Sequence, residues 1–272
     1  LKGIFPQEEI EYLGKAFFKR ALKQQIGCRT EPTLYKNISK IVETASKYKV
    51  PNISLTTNAN LLENEKLEDW ASKGLSEIII FLHGVQKHTY ETMIAKADCE
   101  RFMNSLEIIS SIKKKYPLSL RINYTFNEDN FSDLGGFFKT FGKYDIDVLQ
   151  IRPIIKLGNT AYNNFSLKKI IPMYDDVLQN LTKDAKKHNV MLLAHNIKQI
   201  KKRVSMESVI NKYVYCYISP SDLFNENFKW NENTYDTYAK RVSIGKQILN
   251  DAFSSKTKIL SYRNDKLNYE IQ

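Results

Sequence analysis

The sequence has no apolar run approaching the roughly 18 to 20 residues that a bilayer span requires, and it has three cysteines in 272 residues. Cys28, Cys99 and Cys216 form no CxxC or CxxxC unit, so neither a zinc site nor a disulfide framework is supported. The opening stretch, LKGIFPQEEIEYL, has neither the apolar run nor the small-residue cleavage site of a signal peptide. The expectation is a soluble, cytoplasmic protein with no membrane association. What is there is a globular composition, 42% hydrophobic and 26% charged, long enough for one large α/β domain or a domain plus an appendage.

Acidic charge is in deficit: 41 Lys and Arg stand against 30 Asp and Glu, a formal charge of +11. That balance suits a polyanionic partner such as nucleic acid, but abundant Lys, Asn, Ile and Tyr are also what an AT-rich genome writes into any protein, so nucleic acid binding is not favoured. From Ser166 to Lys212, ten Lys/Arg face four Asp/Glu, a net of +6.

Hydrophobic spacing predicts helices and strands in alternation. Pro6 opens a helix with Ile10, Leu13 and Phe17 on one face; a strand covers Gln24 to Cys28. Helix YKNISKIVETASKY, strand NISLTT, helix ENEKLEDWASKG and strand EIIIFL follow, with Gly74 as a helix stop. Then come helix ERFMNSLEIISSIKKK, strand LSLRINYT, helix FSDLGGFFKTFG and strand DVLQIRPI. A β–α unit every 25 to 30 residues or so argues for a parallel sheet with helical crossovers, open or closed into a barrel. Beyond a Gly/Asn-rich loop, a boundary near residue 165 separates residues 1–165 from a C-terminal α-rich region, 166–272, that also holds one more strand, VMLLAH. The tail from Tyr213 is rich in Tyr, Asn and Ser.

Ligands of either architecture gather at the carboxyl ends of the strands. Those ends read Cys28-Arg29-Thr30-Glu31-Pro32, Thr56-Thr57-Asn58, Leu82-His83-Gly84, Arg121-Ile122-Asn123 and Arg152-Pro153. One carboxylate, several amides and hydroxyls and three guanidiniums suit a zwitterion: Glu31 accepting from an ammonium, Arg121 clamping a carboxylate, Thr and Asn groups holding hydroxyls. His83 faces the same mouth and is positioned for cofactor or substrate.

These segments resemble the radical SAM superfamily. GCRTEPTLYKNI is similar to that family's Gly-Gly-Glu-Pro segment, ISLTTNANLL to its TTNG.LL strand, and FLHG to the SLHG or SLDG that ends its fourth strand. LRINYTFNEDN and LQIRPIIKLGNT resemble its fifth and sixth, in order over residues 1–165. The resemblance implies a partial (β/α)6 TIM-like barrel holding S-adenosylmethionine. It also implies a [4Fe–4S] cluster on a CxxxCxxC loop, reductive cleavage to a 5′-deoxyadenosyl radical, and abstraction of a substrate hydrogen. Glu31, assisted by Thr30, would receive the methionine ammonium. Thr57 and Asn58 would lie near the methionine or ribose, Arg121 would meet the carboxylate, and Arg152 would flank the adenine, with Arg29, His83 and Asn123 completing the cofactor-binding set.

The sequence departs from that pattern in two places: Arg29-Thr30 replace the Gly-Gly pair, and Phe81 stands where the family often has a serine. The resemblance puts the cluster cysteines upstream of Leu1, so no residue here is named as an iron ligand. Cys216 is a candidate hydrogen donor. An electron donor such as flavodoxin or ferredoxin is the implied partner, and a carbohydrate, nucleotide or other small metabolite the expected substrate. The rival readings are a basic RNA- or polyanion-binding module on a cluster-less barrel and a SAM-binding pseudoenzyme.

Overall fold

A computed structural model describes residues 4–27, 31–154, 166–202 and 232–254. The chain divides into two compact units, residues Leu22–Arg203 and residues Leu1–Ala21 with Val204–Gln272.

The larger unit is built on six strands: β1 (Lys23–Ile26), β2 (Asn52–Thr57), β3 (Glu77–Leu82), β4 (Ser119–Phe126), β5 (Val148–Pro153) and β6 (Met191–Ala194). Each pairs in parallel with the next, in the order β1-β2-β3-β4-β5-β6, and the sheet is not closed into a full barrel. Sequential order with a single crossover handedness puts the connecting helices on one side. Counting from α1 of the smaller unit, these are α2 (Ile38–Lys47), α3 (Asn64–Ser72), α4 (Lys87–Met93), α5 (Cys99–Lys113), α6 (Phe137–Phe141) and α7 (Ile171–Lys187), with α8 (Ile197–Lys202) after β6.

The alternation along each strand separates two surfaces. Ile53, Leu55, Ile78, Ile80, Leu82, Leu120, Ile122, Tyr124, Phe126, Leu149 and Ile151 are all buried. They form the core with the helical positions that the spacing predicts, Phe102, Leu106, Ile109 and Ile112 of α5 among them. The alternate residues line up in rows across the sheet: Gln25, Ser54, Glu77 and Ser119; then Thr56, Ile79, Arg121 and Val148; then Phe81, Asn123 and Gln150; then Thr125 and Arg152. This second face is polar. A sheet packed on both sides by helices would carry apolar residues on both faces; a polar row over an apolar one marks a face turned toward ligand or solvent.

Local differences from the spacing have physical causes. β1 stops at Ile26 rather than Cys28 because Gly27 takes a φ of +85°. FSDLGGFFKTFG is not one helix but a 3-10 segment, Phe131–Gly136, followed by the short α6; its two adjacent glycines weaken α-helix formation at that junction. Helix α4, KHTYETM, has little hydrophobic periodicity and buries one residue, Tyr90. Strand VMLLAH is β6, an added edge on β5.

In the smaller unit, α1 (Glu9–Phe17) buries Ile10, Leu13 and Ala16, and a 3-10 turn, Phe18–Arg20, follows. Helices α9 (Tyr235–Arg241) and α10 (Ile244–Ala252) lie in the same unit. Ala16 and Tyr238 are buried together, with Phe17, Tyr235, Val242 and Ile244 packed around them, and Arg20 pairs with Asp236 at 2.6 Å. No helix among the described residues is long and apolar enough to cross a membrane.

Candidate functional site

Gly27, after β1, is tightly packed. A Cβ on Gly27 would lie 2.7 Å from both Pro32 Cγ and the Thr56 carbonyl oxygen, so only glycine fits between Pro32 and β2. Glu31 stands at the carboxyl end of β2. Its Oε1 accepts from Thr33 N at 3.1 Å, Thr33 Oγ1 at 2.6 Å and Thr57 Oγ1 at 2.7 Å, while Oε2 accepts from Asn58 N at 2.9 Å. Proline at position 32 starts the 3-10 segment that Glu31 caps. The Glu-Pro pair therefore fixes a half-buried carboxylate against the end of the neighbouring strand, with Oε2 taking one described donor where a carboxylate oxygen can take two.

Beyond Thr57 the backbone is tied down again. Ala59 N donates to Thr57 Oγ1 and Asn60 N to Asn58 Oδ1. Ala59 has φ +63°, the left-handed conformation that explains why the resembled TTNG.LL segment has glycine at that place.

At the ends of β3 and β4, Asn130 is fully buried; its Nδ2 donates to the His83 carbonyl at 2.8 Å and the Thr125 carbonyl at 3.0 Å, and its Oδ1 accepts from Asn127 N at 2.7 Å. Asp133 accepts from Val85 N and Gln86 N at 3.3 and 3.2 Å, and Gly84 lies so close to α4 that a Cβ would meet Tyr90 N at 2.4 Å. The His83 imidazole is held below its ordinary pKa, first by burial and then by Arg152, against a raising effect of the Thr125 backbone; it is neutral at pH 7. The Arg152 guanidinium stands 5.5 Å from the centre of the Phe81 ring, so the aromatic that replaces the family's serine supports a cation.

Among the described residues, four side-chain atoms on this face are buried without a hydrogen-bond partner: Asn52 Oδ1 and Thr56 Oγ1 on β2, and Arg121 Nε and Asn123 Oδ1 on β4. Such atoms cost about 1 to 3 kcal/mol each unless a ligand or water meets them. Thr56 and Asn123, 3% and 7% exposed, lie one pleat apart on strands flanking β3.

The structure thus brings Glu31, Thr57 and Asn58 into one hydrogen-bonded group, and sets His83, Arg152 and Asn123 along the neighbouring strand ends. It does not bring Arg121 to that group. Its Nε lies 3.1 Å from Glu77 Oε1, off the line of the N–H, which draws the side chain toward the amino-terminal row. Arg29, Thr30, Cys28 and Cys216 lie outside the described residues. Thr56, Asn130 and Asp133 are additions: Thr56 is legible as the other hydroxyl of the Thr-Thr-Asn segment, whereas the asparagine and aspartate act through backbone groups distant in sequence.

No protein-family model matches the chain. Over 132 residues it is 33% identical to the probable GTP 3′,8-cyclase of Methanocaldococcus jannaschii, covering 47% of this chain and 41% of that protein. Over 190 residues it is 25% identical to the GTP 3′,8-cyclase of Aquifex aeolicus, covering 67% and 55%. These likenesses, with the fold, support a radical SAM superfamily member. The chain spans about half the length of these curated relatives. Its fold is that of solved radical SAM enzymes. Streptococcus suis SuiB superposes with a TM-score of 0.57 at 15% identity over 77% of this chain and 49% of SuiB. The enzyme anSMEcpe with bound AdoMet and Kp18Cys peptide superposes with a TM-score of 0.55 at 19% identity over 70% and 56%.

The family's two cofactors fare differently. S-adenosylmethionine fits what is present: an anchored carboxylate for its ammonium, and an orphaned hydroxyl and amide oxygen for its polar atoms. The [4Fe–4S] cluster finds no ligand set, since no group of three His, Cys, Asp or Glu side chains that could hold a metal occurs among the described residues.

Proposed function

We propose that this chain is the cofactor- and substrate-binding core of a radical SAM enzyme that takes hydrogen from a carbohydrate, nucleotide or other small metabolite. The observation that carries the reading is the Glu31 carboxylate, fixed by four donors beside the polar sheet face on which Thr56 Oγ1 and Asn123 Oδ1 stand buried and unpartnered. S-adenosylmethionine, when bound and reductively cleaved, supplies a 5′-deoxyadenosyl radical. The chain's own residues do the rest. Glu31 receives the ammonium and is held in register by Thr33 and Thr57. Thr56 and Asn123 meet cofactor polar atoms, and Asn130 locks the ends of β3 and β4 so that His83 and Asn123 keep their places. Phe81 and Arg152 offer a flat, cationic surface to the adenine. Neutral His83 can accept or donate one hydrogen bond without adding charge.

A nucleotide stays among the substrates because both curated relatives are named for GTP. The electron donor is a flavodoxin- or ferredoxin-type protein, and the Cys216 thiol remains a candidate hydrogen donor, tested by Cys216→Ala.

The test is an anaerobic iron and sulfide count on protein expressed from the full gene, together with equilibrium binding of S-adenosylmethionine to wild type and Thr56→Val. Cluster incorporation with binding weakened about tenfold in the variant, the loss of roughly one hydrogen bond, supports the reading. Wild-type protein that takes up no iron and binds no S-adenosylmethionine overturns it.

A further inference from the structure

The row of Glu77 and the row of Thr56 and Arg121 on the polar face hold a charge cluster to which the proposed cofactor contacts assign no role. Glu77, the first residue of β3, has a side chain 6% exposed and is gripped from two sides: Lys23 of β1 donates to Oε2, and Arg121 of β4 lies 3.1 Å from Oε1. One cation would neutralise a buried carboxylate; two leave the cluster with a net positive charge in a poorly screened place. Glu77 is the one acid in the aligned rows of this face, against Lys23, Arg121 and Arg152. The Glu77 oxygen sits beside Arg121 Nε but off the line of its N–H, so the pair is an ion contact in which no guanidinium N–H is hydrogen-bonded to the acid. The Arg121 side chain is 29% exposed, and no partner among the described residues holds its two terminal nitrogens, which is the fork that binds oxyanions in bidentate fashion. Lys23, 40% exposed, adds a second cation beside it. A purely structural ion pair would turn the fork inward on the acid.

We propose that Arg121 and Lys23, positioned by Glu77, form the receptor for an anionic group of the substrate, an oxyanion of phosphate or carboxylate type. Glu77 is a positioning residue: it draws the guanidinium by charge and touches no ligand. Calling this ligand the substrate rests on the proposed function; the anion site itself does not.

Calorimetric titration of the 272-residue chain with inorganic pyrophosphate and, separately, malonate tests the site, and the tighter of the two identifies the oxyanion. Arg121→Gln is expected to weaken that binding roughly tenfold to hundredfold, the loss of a charge-assisted bidentate pair. Arg121→Lys, which keeps the charge and loses the fork, is expected to fall between. Lys115→Gln, an exposed position paired with Glu68, is expected to leave it unchanged. If Arg121→Gln does not fold, Lys23→Gln at the sheet edge reads the same site, with weakening of at least about threefold expected. Wild-type affinity weaker than about 10 mM for both anions overturns the proposal, as does binding that survives Arg121→Gln, or Lys23→Gln in its place, within about twofold. S-adenosylmethionine affinity is measured on the same variants. Unchanged affinity in Arg121→Gln supports a separate substrate site, and a loss parallel to that of the anion overturns it by assigning Arg121 to the cofactor's own carboxylate. Wild-type protein that binds the anion but no S-adenosylmethionine contradicts the proposed function and leaves the anion site standing.

Discussion

Glu31→Gln separates the charge of the anchored carboxylate from its shape. A carboxylate satisfies four donors at once because all its lone pairs accept; an amide replaces one oxygen with an NH2 that only donates. If the amide oxygen takes the place of Oε1, the NH2 confronts Asn58 N across 2.9 Å. Flipped, it confronts Thr33 N at 3.1 Å together with two hydroxyls that can rotate away. Either way one backbone N–H loses its acceptor, at about 1 to 3 kcal/mol, and the charge that would meet the methionine ammonium is gone. The expected outcome is a stability loss of about 2 kcal/mol by urea denaturation and S-adenosylmethionine binding weaker by roughly tenfold to hundredfold. Glu31→Gln that unfolds with the wild-type midpoint would show that the lost backbone hydrogen bond and the carboxylate charge carry no net stability. A folded variant that binds S-adenosylmethionine as well as wild type would refute the assignment of Glu31 to the ammonium.

Gly27→Ala forces a Cβ into backbone as well as side-chain atoms at positive φ; a loss of at least about 2 kcal/mol in thermal or urea unfolding is expected, and an unchanged midpoint would contradict the close approach. Asn130→Ala leaves two strand-end carbonyls and Asn127 N without their partner, so a loss of about 2 to 4 kcal/mol is expected, with faster hydrogen exchange at the ends of β3 and β4. His83 titrates below its ordinary pKa of 6.5 in the fold, so the unfolded chain binds its proton first as pH falls. Stability is therefore full above about pH 7 and declines below the unfolded pKa, by at most about 1.4 kcal/mol per pH unit, until the folded pKa is passed. His83→Gln should flatten that part of the urea-midpoint profile, and a slope identical to wild type would remove His83 as its source.

The apolar side of the sheet was legible because burial leaves a repeating mark. EIIIFL is β3 to the residue, and the four predicted apolar positions of α5 are all in the core. The polar face was hidden inside the same strings. Thr56, Glu77, Arg121, Asn123 and Gln150 alternate with Ile and Leu, but only the cross-strand register reveals that they form aligned rows. Glu31 could be read from its neighbours, since Glu-Pro after a strand is a local device, and its partners Thr57 and Asn58 lie in a segment already marked. The capture of Arg121 by Glu77 was not legible, because Arg-Ile-Asn looks the same at either end of a strand and its partner is 44 residues away by numbering. Asn130 escaped for a related reason: its work is done on the carbonyls of His83 and Thr125, which any residue would present.

The most direct measurement is 5′-deoxyadenosine formation by anaerobically purified, reductant-treated protein from the full gene, followed by chromatography, with Glu31→Gln and Thr56→Val alongside wild type. Steady formation by wild type, lowered by roughly tenfold or more in both variants at limiting S-adenosylmethionine, is the predicted result. Wild-type protein with a full complement of iron that yields no 5′-deoxyadenosine, or variants that yield as much as wild type, would contradict the account.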